Sequence, residues 1–485
     1  MTLAEMLARE PAVVLAMGDA GAELAGLTAD SRAVAPGFLF AALPGVRADG
    51  RVFIAEAVAR GAAAVLAPEG TEWPPGVPPR PLLTAADPRR AFARMAAAHY
   101  GLQPACVVAI TGTNGKTSTA EFLRQIWALD GGGPAASLGT LGLTRDGVSS
   151  GPGLTTPDPV ALHDMLAQLA RDGVGRLAME ASSHGLDQRR LDGVRLHAAG
   201  FSNLTRDHLD YHHDLAGYRA AKLRLFDTLL PPQAAVVANA DMDPAALAAL
   251  TAIAVRRRLR LLTVGEAGRD LRLLSARPLP EGLALEIAGF GARTEVILPL
   301  VGRFQADNAL LAAGLAAATG GRDPLAALAR LTGVRGRMEL AARLPNGAAV
   351  YVDYAHTPDA LARLLAALRP HATGKLVAVF GAGGDRDPGK RPLMSAVVAE
   401  HADLAFITDD NPRSEDPALI RAAIRSACPD GIEIGDRARA IAEAMAALGP
   451  GDVLAVAGKG HEPGQTIAGV THPFDDVSVV RGLAG

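Results

Sequence analysis

The stretch Ala105 to Thr119, ACVVAITGTNGKTST, constrains this chain more than any other. Its apolar run Cys106 to Ile110 reads as a buried strand, and Gly112 and Gly115 then turn the chain into a helical pattern from Lys116 to Leu129. A strand, a glycine loop and a helix N-terminus in that order aim backbone N–H groups at one spot. The helix dipole adds partial positive charge there and Lys116 a full one. Thr117 offers a hydroxyl to a metal ion. The natural occupant is a nucleoside triphosphate with Mg2+; a helix-starting loop with an incidental lysine is the competing reading. The strict pattern G-x-x-x-x-G-K-[ST] would place glycine where Ile110 stands, so the loop is the shorter GTNGKTS, Gly112, Thr113, Asn114, Gly115, Lys116, Thr117 and Ser118.

A chain of 485 residues is long for one core and suggests three domains. Lys plus Arg number 48 against 51 for Asp plus Glu, so no global field recruits nucleic acid or an anionic membrane, and any anion must be held by local sites. Cys106 and Cys428 lack a C-x-x-C spacing and are expected to be buried thiols in a reducing compartment. Charged residues interrupt the N-terminal apolar stretch and no run suits a membrane span, so the expected location is cytoplasmic.

Downstream, apolar strands alternate with helical stretches, which predicts an α/β fold with a mostly parallel sheet and helices on both faces. Leu177 to Met179 is a short strand ending in Glu180, where open α/β sheets place metal ligands; Glu180 is therefore the expected magnesium-side acid, with a helix-terminal Glu beside a capping Ser as the alternative. The segment Ser202 to Asp214 holds Asp207, His208, Asp210, His212 and His213. His208 and His212 are four apart and would share a helix face suited to zinc, yet a triphosphate site already exists, so a hard-ion role for His208 beside Glu180 is the expectation, with His212 and His213 exposed. Gly153 to Pro159 should be an exposed loop, and Lys222, on an amphipathic helix, reads on its own as a surface lysine.

A new αβ series follows Gly333 to Glu339, with strands at Val350 to Asp353, Leu376 to Gly381, Leu404 to Thr408 and Val453 to Ala457. Each ends in polar residues, so a Rossmann-like domain with a ligand cleft along its carboxyl edge is predicted.

GTNGKTS, EASSHGL (Glu180 to Leu186), NLTRDHLD (Asn203 to Asp210), DYAHTP (Asp353 to Pro358), GGDRDPGKR (Gly383 to Arg391), DNPR (Asp410 to Arg413) and GKGHE (Gly458 to Glu462), in this order, resemble the Mur ligase family over essentially the whole chain. The resemblance implies three domains: 1–90 for a UDP-sugar, a central P-loop-type ATPase at 91–335, and a C-terminal amino-acid domain at 336–485. It implies addition of meso-diaminopimelate to UDP-MurNAc-L-Ala-D-Glu, with ATP cleaved to ADP through an acyl phosphate, in peptidoglycan precursor synthesis by a monomer. It makes Thr117 and Glu180 ligands of one Mg2+ and His208 a ligand at a second, beside a carbamate carried on Lys222. It gives Asn308 and Arg337 to ATP. Ser31, Val46, Arg47, Ala48, Thr155, Thr156, Ser182, Gln188 and Arg190 go to the sugar-peptide, and for Ser31 and the Val46 to Ala48 loop plain surface turns are the reading from residues alone. Arg386, Asp410, Asn411, Pro412, Arg413, Gly458 and Glu462 go to the amino acid. An arginine in DNPR can pair bidentately with the second carboxylate that diaminopimelate has and lysine lacks. Closure of the last domain, with a hinge near Gly333 to Arg337, is expected because ATP and amino acid are held by different domains.

Overall fold

The computed structural model describes residues 1–485 except 46–47, 146–147, 151–152 and 280–281, with backbone alone at 148, 209 and 210. Among the described residues three larger sheets follow one another along the chain. The first has five strands in the order Val14–Met17, Leu82–Ala85, Ala64–Pro68, Phe38–Ala41, Gly26–Thr28, all parallel except the first. Its Ala64–Pro68 strand is buried on both faces: Ala64 and Leu66 enter one core cluster and Val65 and Ala67 the other. A continuous apolar run is what such a strand requires.

Among the described residues the second sheet has eleven strands. Its heart is six neighbours, Arg260–Gly265, Ala235–Asn239, Leu196–Phe201, Cys106–Thr111, Arg176–Glu180 and Ala135–Gly139, all parallel. Alternate residues of Cys106–Thr111 serve opposite cores. Val108 and Ile110 pack with Phe122, Ile126 and Trp127 of the Lys116–Leu129 helix and with Leu310, Leu311 and Leu315 of the Arg303–Ala318 helix. Val107 and Ala109 pack with Leu162, Leu166 and Leu169 of the Pro159–Arg171 helix.

The strands added at both edges of this heart were not predicted; all pair antiparallel except Leu271–Leu279, which joins Arg260–Gly265 in parallel. Leu271–Leu279, Gly282–Gly289 and Ala292–Leu298 form a meander at one edge, and Gly142–Arg145 with Val148–Ser149 extend the other. In the meander Leu283, Leu285 and Ile287 are buried while the residues between them are more exposed, a two-residue period that differs from the solid apolar runs of the parallel core.

The third sheet has six strands in the order Glu339–Arg343, Ala349–Asp353, Val453–Ala457, Leu376–Phe380, Leu404–Ile407, Ile432–Glu433, antiparallel only at the first. Helices Pro358–Leu368, Lys390–His401 and Pro417–Arg425 cover one face, and Arg437–Ala446 with Asp476–Ala484 the other. This doubly wound plan leaves its four central strand ends free to carry loops along one edge. Among the described residues no helix is long and apolar enough to cross a membrane. Cys428 is buried, whereas Cys106, expected to be buried too, is only partly so because it opens its strand; neither is in a disulfide.

Candidate active site

The glycine loop sits at the carboxyl end of a central strand and is held in shape by the next strand end. Asn203 O accepts from Thr113 N–H at 2.9 Å, Asn203 Oδ1 from Asn114 N–H at 2.9 Å, and Thr113 Oγ1 donates to Thr205 O at 3.2 Å. Gly112 (φ 151°) and Gly115 (φ 82°) both adopt positive φ, and a Cβ on either would overlap a neighbour, Ser202 Oγ at the first and Asn308 Oδ1 at the second. Asn308, in the second turn of the Arg303–Ala318 helix, thus packs directly on the loop. The Lys116 ammonium folds back over it, donating to Gly112 O at 3.0 Å and Thr113 O at 2.9 Å, and burial lowers its pKa. Ser118 is buried in the helix.

Thr117 and Glu180 meet. Thr117 Oγ1 donates to Glu180 Oε1 at 2.8 Å, and the backbone N–H of Thr140 donates to the same oxygen at 2.9 Å. Glu180 is the last residue of its strand, so the reading of it as a helix-terminal Glu fails, although Ser182 does cap the short helix Ser183–Asp187. Lys222 is not a surface lysine: 1% exposed, it donates to Gly112 O at 2.7 Å and lies 4.4 Å from the centroid of the Tyr218 ring. The helix Leu215–Arg224 buries Tyr218 and Lys222, four residues apart, on its inner face. Burial, and then the charge of Lys116, push the Lys222 pKa well below that of an ordinary lysine. The Tyr218 hydroxyl reaches Thr113 Oγ1 at 3.2 Å, and burial raises its pKa to about 12.

His208 stands half-exposed with its ring 4.9 Å from that of His184 and its Nε2 3.5 Å from Asp207. His213 is exposed as expected, but His212 is buried, its ring against Tyr211 and Tyr218. The helix Leu209–His212 is a single turn, and it tucks this ring inward instead of displaying it. The side chain of Asp210 lies outside the described residues. Among the described residues no three His, Cys, Asp or Glu side chains stand together as a ready metal cluster.

Five polar groups assigned to one ligand form a single network next to Glu180. Thr155 Oγ1 is 3.1 Å from Thr140 Oγ1, Thr156 Oγ1 donates to Glu180 O at 3.1 Å and accepts from Ser182 N–H at 3.0 Å. Arg190 donates to Thr156 O and Gln188 Oε1, both at 2.7 Å. The loop expected to be exposed is therefore buried at Thr156 and Pro157, because its threonines bond to the strand end. Ser31 stands apart, donating to Glu56 at 3.0 Å, and Ala48 is exposed; Val46 and Arg47 lie outside the described residues.

In the third sheet the loops after Leu404–Ile407 and Val453–Ala457 converge. Asn411 Nδ2 donates to Glu462 Oε2 at 2.9 Å, and the fully buried Lys459 reaches Asn411 Oδ1 at 3.2 Å and Glu462 at 3.4 Å. Asp410 is buried 3.9 Å from Lys459, and a Cβ on Gly458 would meet its carboxylate. Arg413, at φ 54°, donates to Gly384 O at 2.6 Å, and Pro412 packs its carbonyl on Gly384. Arg386 is exposed at the rim. Behind the cradle the fully buried pair Arg437–Asp476, at 2.7 Å, ties Arg437 to Ala457 O just before Gly458.

The linker between the second and third sheets changes allegiance within three residues. Thr332 exchanges backbone bonds with the Gln125 amide of the phosphate-loop helix, and Val334 belongs to the central core. Arg335 instead reaches Asp475, and Gly336 packs against Gly460 and His461, with its carbonyl accepting from Tyr354 N–H at 3.0 Å. Arg337 lies 4.9 Å over the Tyr354 ring.

The family model of the Mur ligase middle domain matches residues 110–316, that of the Mur ligase glutamate ligase domain 336–460, and that of the Mur ligase family catalytic domain 23–100. A relative from Caulobacter vibrioides is 57% identical over 463 residues, covering 94% of each chain. The chain belongs to the Mur ligase family. That relative is named UDP-N-acetylmuramoyl-L-alanyl-D-glutamate–2,6-diaminopimelate ligase, as is one from Agrobacterium fabrum, 50% identical over 96% of this chain and 94% of its own. A solved structure titled with the same ligase name matches with a TM-score of 0.73 at 33% identity, covering 100% of this chain and 98% of that one. Folylpolyglutamate synthase from Mycobacterium tuberculosis shares the fold, with a TM-score of 0.60 at 20% identity over 76% of this chain and 92% of that one.

Against this Mur ligase frame, Lys459 is the functional candidate that sequence reasoning passed over. Its signal was present: a lysine between two glycines directly after a buried strand has no solvent to run to. Thr140 was missed as well, because a threonine in GTLG carries no charge or motif to flag it.

Proposed function

We propose that this Mur ligase joins meso-diaminopimelate to UDP-MurNAc-L-Ala-D-Glu with cleavage of ATP to ADP and phosphate, a cytoplasmic step of peptidoglycan precursor synthesis. The observation that carries it is one chain holding the Lys116 loop with its Thr117–Glu180 pair and, on a separate sheet, the Asn411–Glu462–Arg413 cradle.

A carboxylate is a poor acylating agent. Its oxygen must first take the γ-phosphoryl group of ATP, forming a C–O–P link as the bond to the ADP oxygen breaks. The amine of the incoming amino acid then attacks the acyl carbon through a tetrahedral intermediate and expels phosphate, losing a proton. Loop N–H groups and Lys116 hold the phosphates and neutralise charge that spreads during transfer. Asn308 and Arg337 complete the nucleotide side. Thr155, Thr156, Ser182, Gln188 and Arg190 hold the sugar-peptide, with Ser31 and the Val46 to Ala48 loop on its UDP end.

The Thr117 hydroxyl and Glu180 carboxylate are hard oxygen donors beside the loop, and they fit Mg2+. They would hold one ion; His208 and a carbamate on Lys222 would serve a second. When bound, Mg2+ supplies charge neutralisation to the phosphates. Lys222 suits carbamate formation because only a neutral amine attacks CO2, and its burial favours that form.

Asp410, Asn411, Glu462 and Gly458 hold one end of the amino acid. Arg413 and Arg386 pair with the distal carboxylate that diaminopimelate has. Incubation with UDP-MurNAc-L-Ala-D-Glu, ATP, Mg2+ and meso-diaminopimelate should yield ADP and a tripeptide product by mass spectrometry in equal amounts. ADP without amide product would overturn the proposal.

A further inference from the structure

We propose that Thr140 is a positioning residue that couples the nucleotide half of the site to the sugar-peptide half. Thr140 follows the strand Ala135–Gly139 and works in two directions. Its backbone N–H donates to Glu180 Oε1 at 2.9 Å, the oxygen that also accepts from Thr117 Oγ1 at 2.8 Å. Its hydroxyl lies 3.1 Å from Thr155 Oγ1. Thr117, Glu180, Thr140 and Thr155 therefore form an unbroken chain of hydrogen bonds from the phosphate-loop helix to the loop assigned to the sugar-peptide. Glu180 is 2% exposed, so solvent does not supply substitutes for these bonds.

The strand end is shaped for this arrangement. A Cβ on Gly139 would overlap Glu180 Oε1, so the carboxylate lies against bare backbone. Thr156, next to Thr155, donates to the Glu180 carbonyl at 3.1 Å, which fixes the same loop to the same residue from its other side. The two loop threonines thus grip Glu180 at both ends, one directly and one through Thr140. An ion or nucleotide that fixes Thr117 and Glu180 fixes Thr140, and through it the rotamer of Thr155. By reciprocity, a sugar-peptide that orders Thr155 pre-orders the carboxylate.

The inference rests on the substrates assigned above. The one bond that a substitution can remove is worth about three- to tenfold in affinity, the range of a single neutral hydrogen bond. Calorimetric titration of UDP-MurNAc-L-Ala-D-Glu into the full chain, with and without a non-hydrolysable ATP analogue and Mg2+, reads the coupling directly. In the unaltered protein the analogue should tighten sugar-peptide binding. In Thr140→Val, which keeps the backbone N–H and the shape, that enhancement should fall by about three- to tenfold, while the analogue alone binds as before. Thr140→Ser should restore it, an outcome that a purely structural role for the side chain does not predict. Undiminished coupling in both Thr140→Val and Thr140→Ala would overturn this proposal alone. No binding of the sugar-peptide by the unaltered protein would overturn the substrate assignment and this proposal with it.

Discussion

Replacing Gly115 by alanine tests whether the phosphate loop depends on the Asn308 contact. Gly115 caps the Lys116–Leu129 helix at φ 82°, where a side chain costs about 1–2 kcal/mol. The added Cβ would also overlap Asn308 Oδ1, and Asn308 is 5% exposed and bonded through Nδ2 to the buried Gln305. Moving it leaves a buried amide without its partner, which costs about 1–3 kcal/mol. Together Gly115→Ala should destabilise the central domain by about 2–5 kcal/mol, or lower its thermal midpoint by roughly 5–15 °C for a domain of this size. Calorimetric melting of Gly115→Ala, Asn308→Ala and the double variant separates the two contributions. Removing Asn308 should relieve the overlap but not the backbone strain, so the double variant should be at least about 1 kcal/mol more stable than the sum of the singles. Additivity within about 0.5 kcal/mol, the limit for independent sites, would refute the argument that Asn308 and Gly115 are shaped to each other.

Lys222→Ala should lose at least about 100-fold in turnover, the scale of a lost preorganised charge, and regain activity with an added small carboxylate; full activity without rescue would remove the carbamate. His163, 1% exposed, has its pKa lowered by burial to about 4. Its folded form resists the proton that the unfolded chain accepts below pH 6.5, so stability present above pH 6.5 should be lost as pH falls toward 4, by about 3 kcal/mol at most. His163→Gln should flatten that part of a denaturant-derived stability profile, and an unchanged slope would contradict it. Asp476→Asn leaves the fully buried Arg437 charge unpaired and should cost the third domain about 3–5 kcal/mol by thermal melting, whereas a loss under about 1 kcal/mol would show that the pair is solvated.

Much of the architecture was legible because parallel strands buried on both faces read as solid apolar runs. Cys106–Thr111, Leu376–Phe380 and Val453–Ala457 all fall within a residue of where the runs placed them. The meander from Leu271 to Leu298 was not, since alternating strands with one wet face resemble polar loops until they are paired. The burial of motif residues was not legible. Lys222 and His212 each look like surface residues on a short helix, and their burial depends on where that helix docks, which is tertiary information. Thr117 beside Glu180 was legible from two strand ends at the same sheet edge, whereas His208 depends on a single-turn helix whose placement no periodicity encodes. The linker shows the same limit. Gly333 to Glu339 read as a turn, yet only packing reveals that the change from central to third-domain contacts falls between Val334 and Gly336.

The Arg413 loop is proposed to select the amino acid by a distal carboxylate. Phosphate release from ATP with UDP-MurNAc-L-Ala-D-Glu, compared for meso-diaminopimelate and L-lysine, tests it most directly. The unaltered protein should prefer diaminopimelate by at least about 100-fold in kcat/KM, since a lost bidentate charged pair leaves Arg413 unmatched, and Arg413→Ala should remove most of that preference. Equal turnover with the two amino acids, or a preference that survives Arg413→Ala intact, would contradict the account.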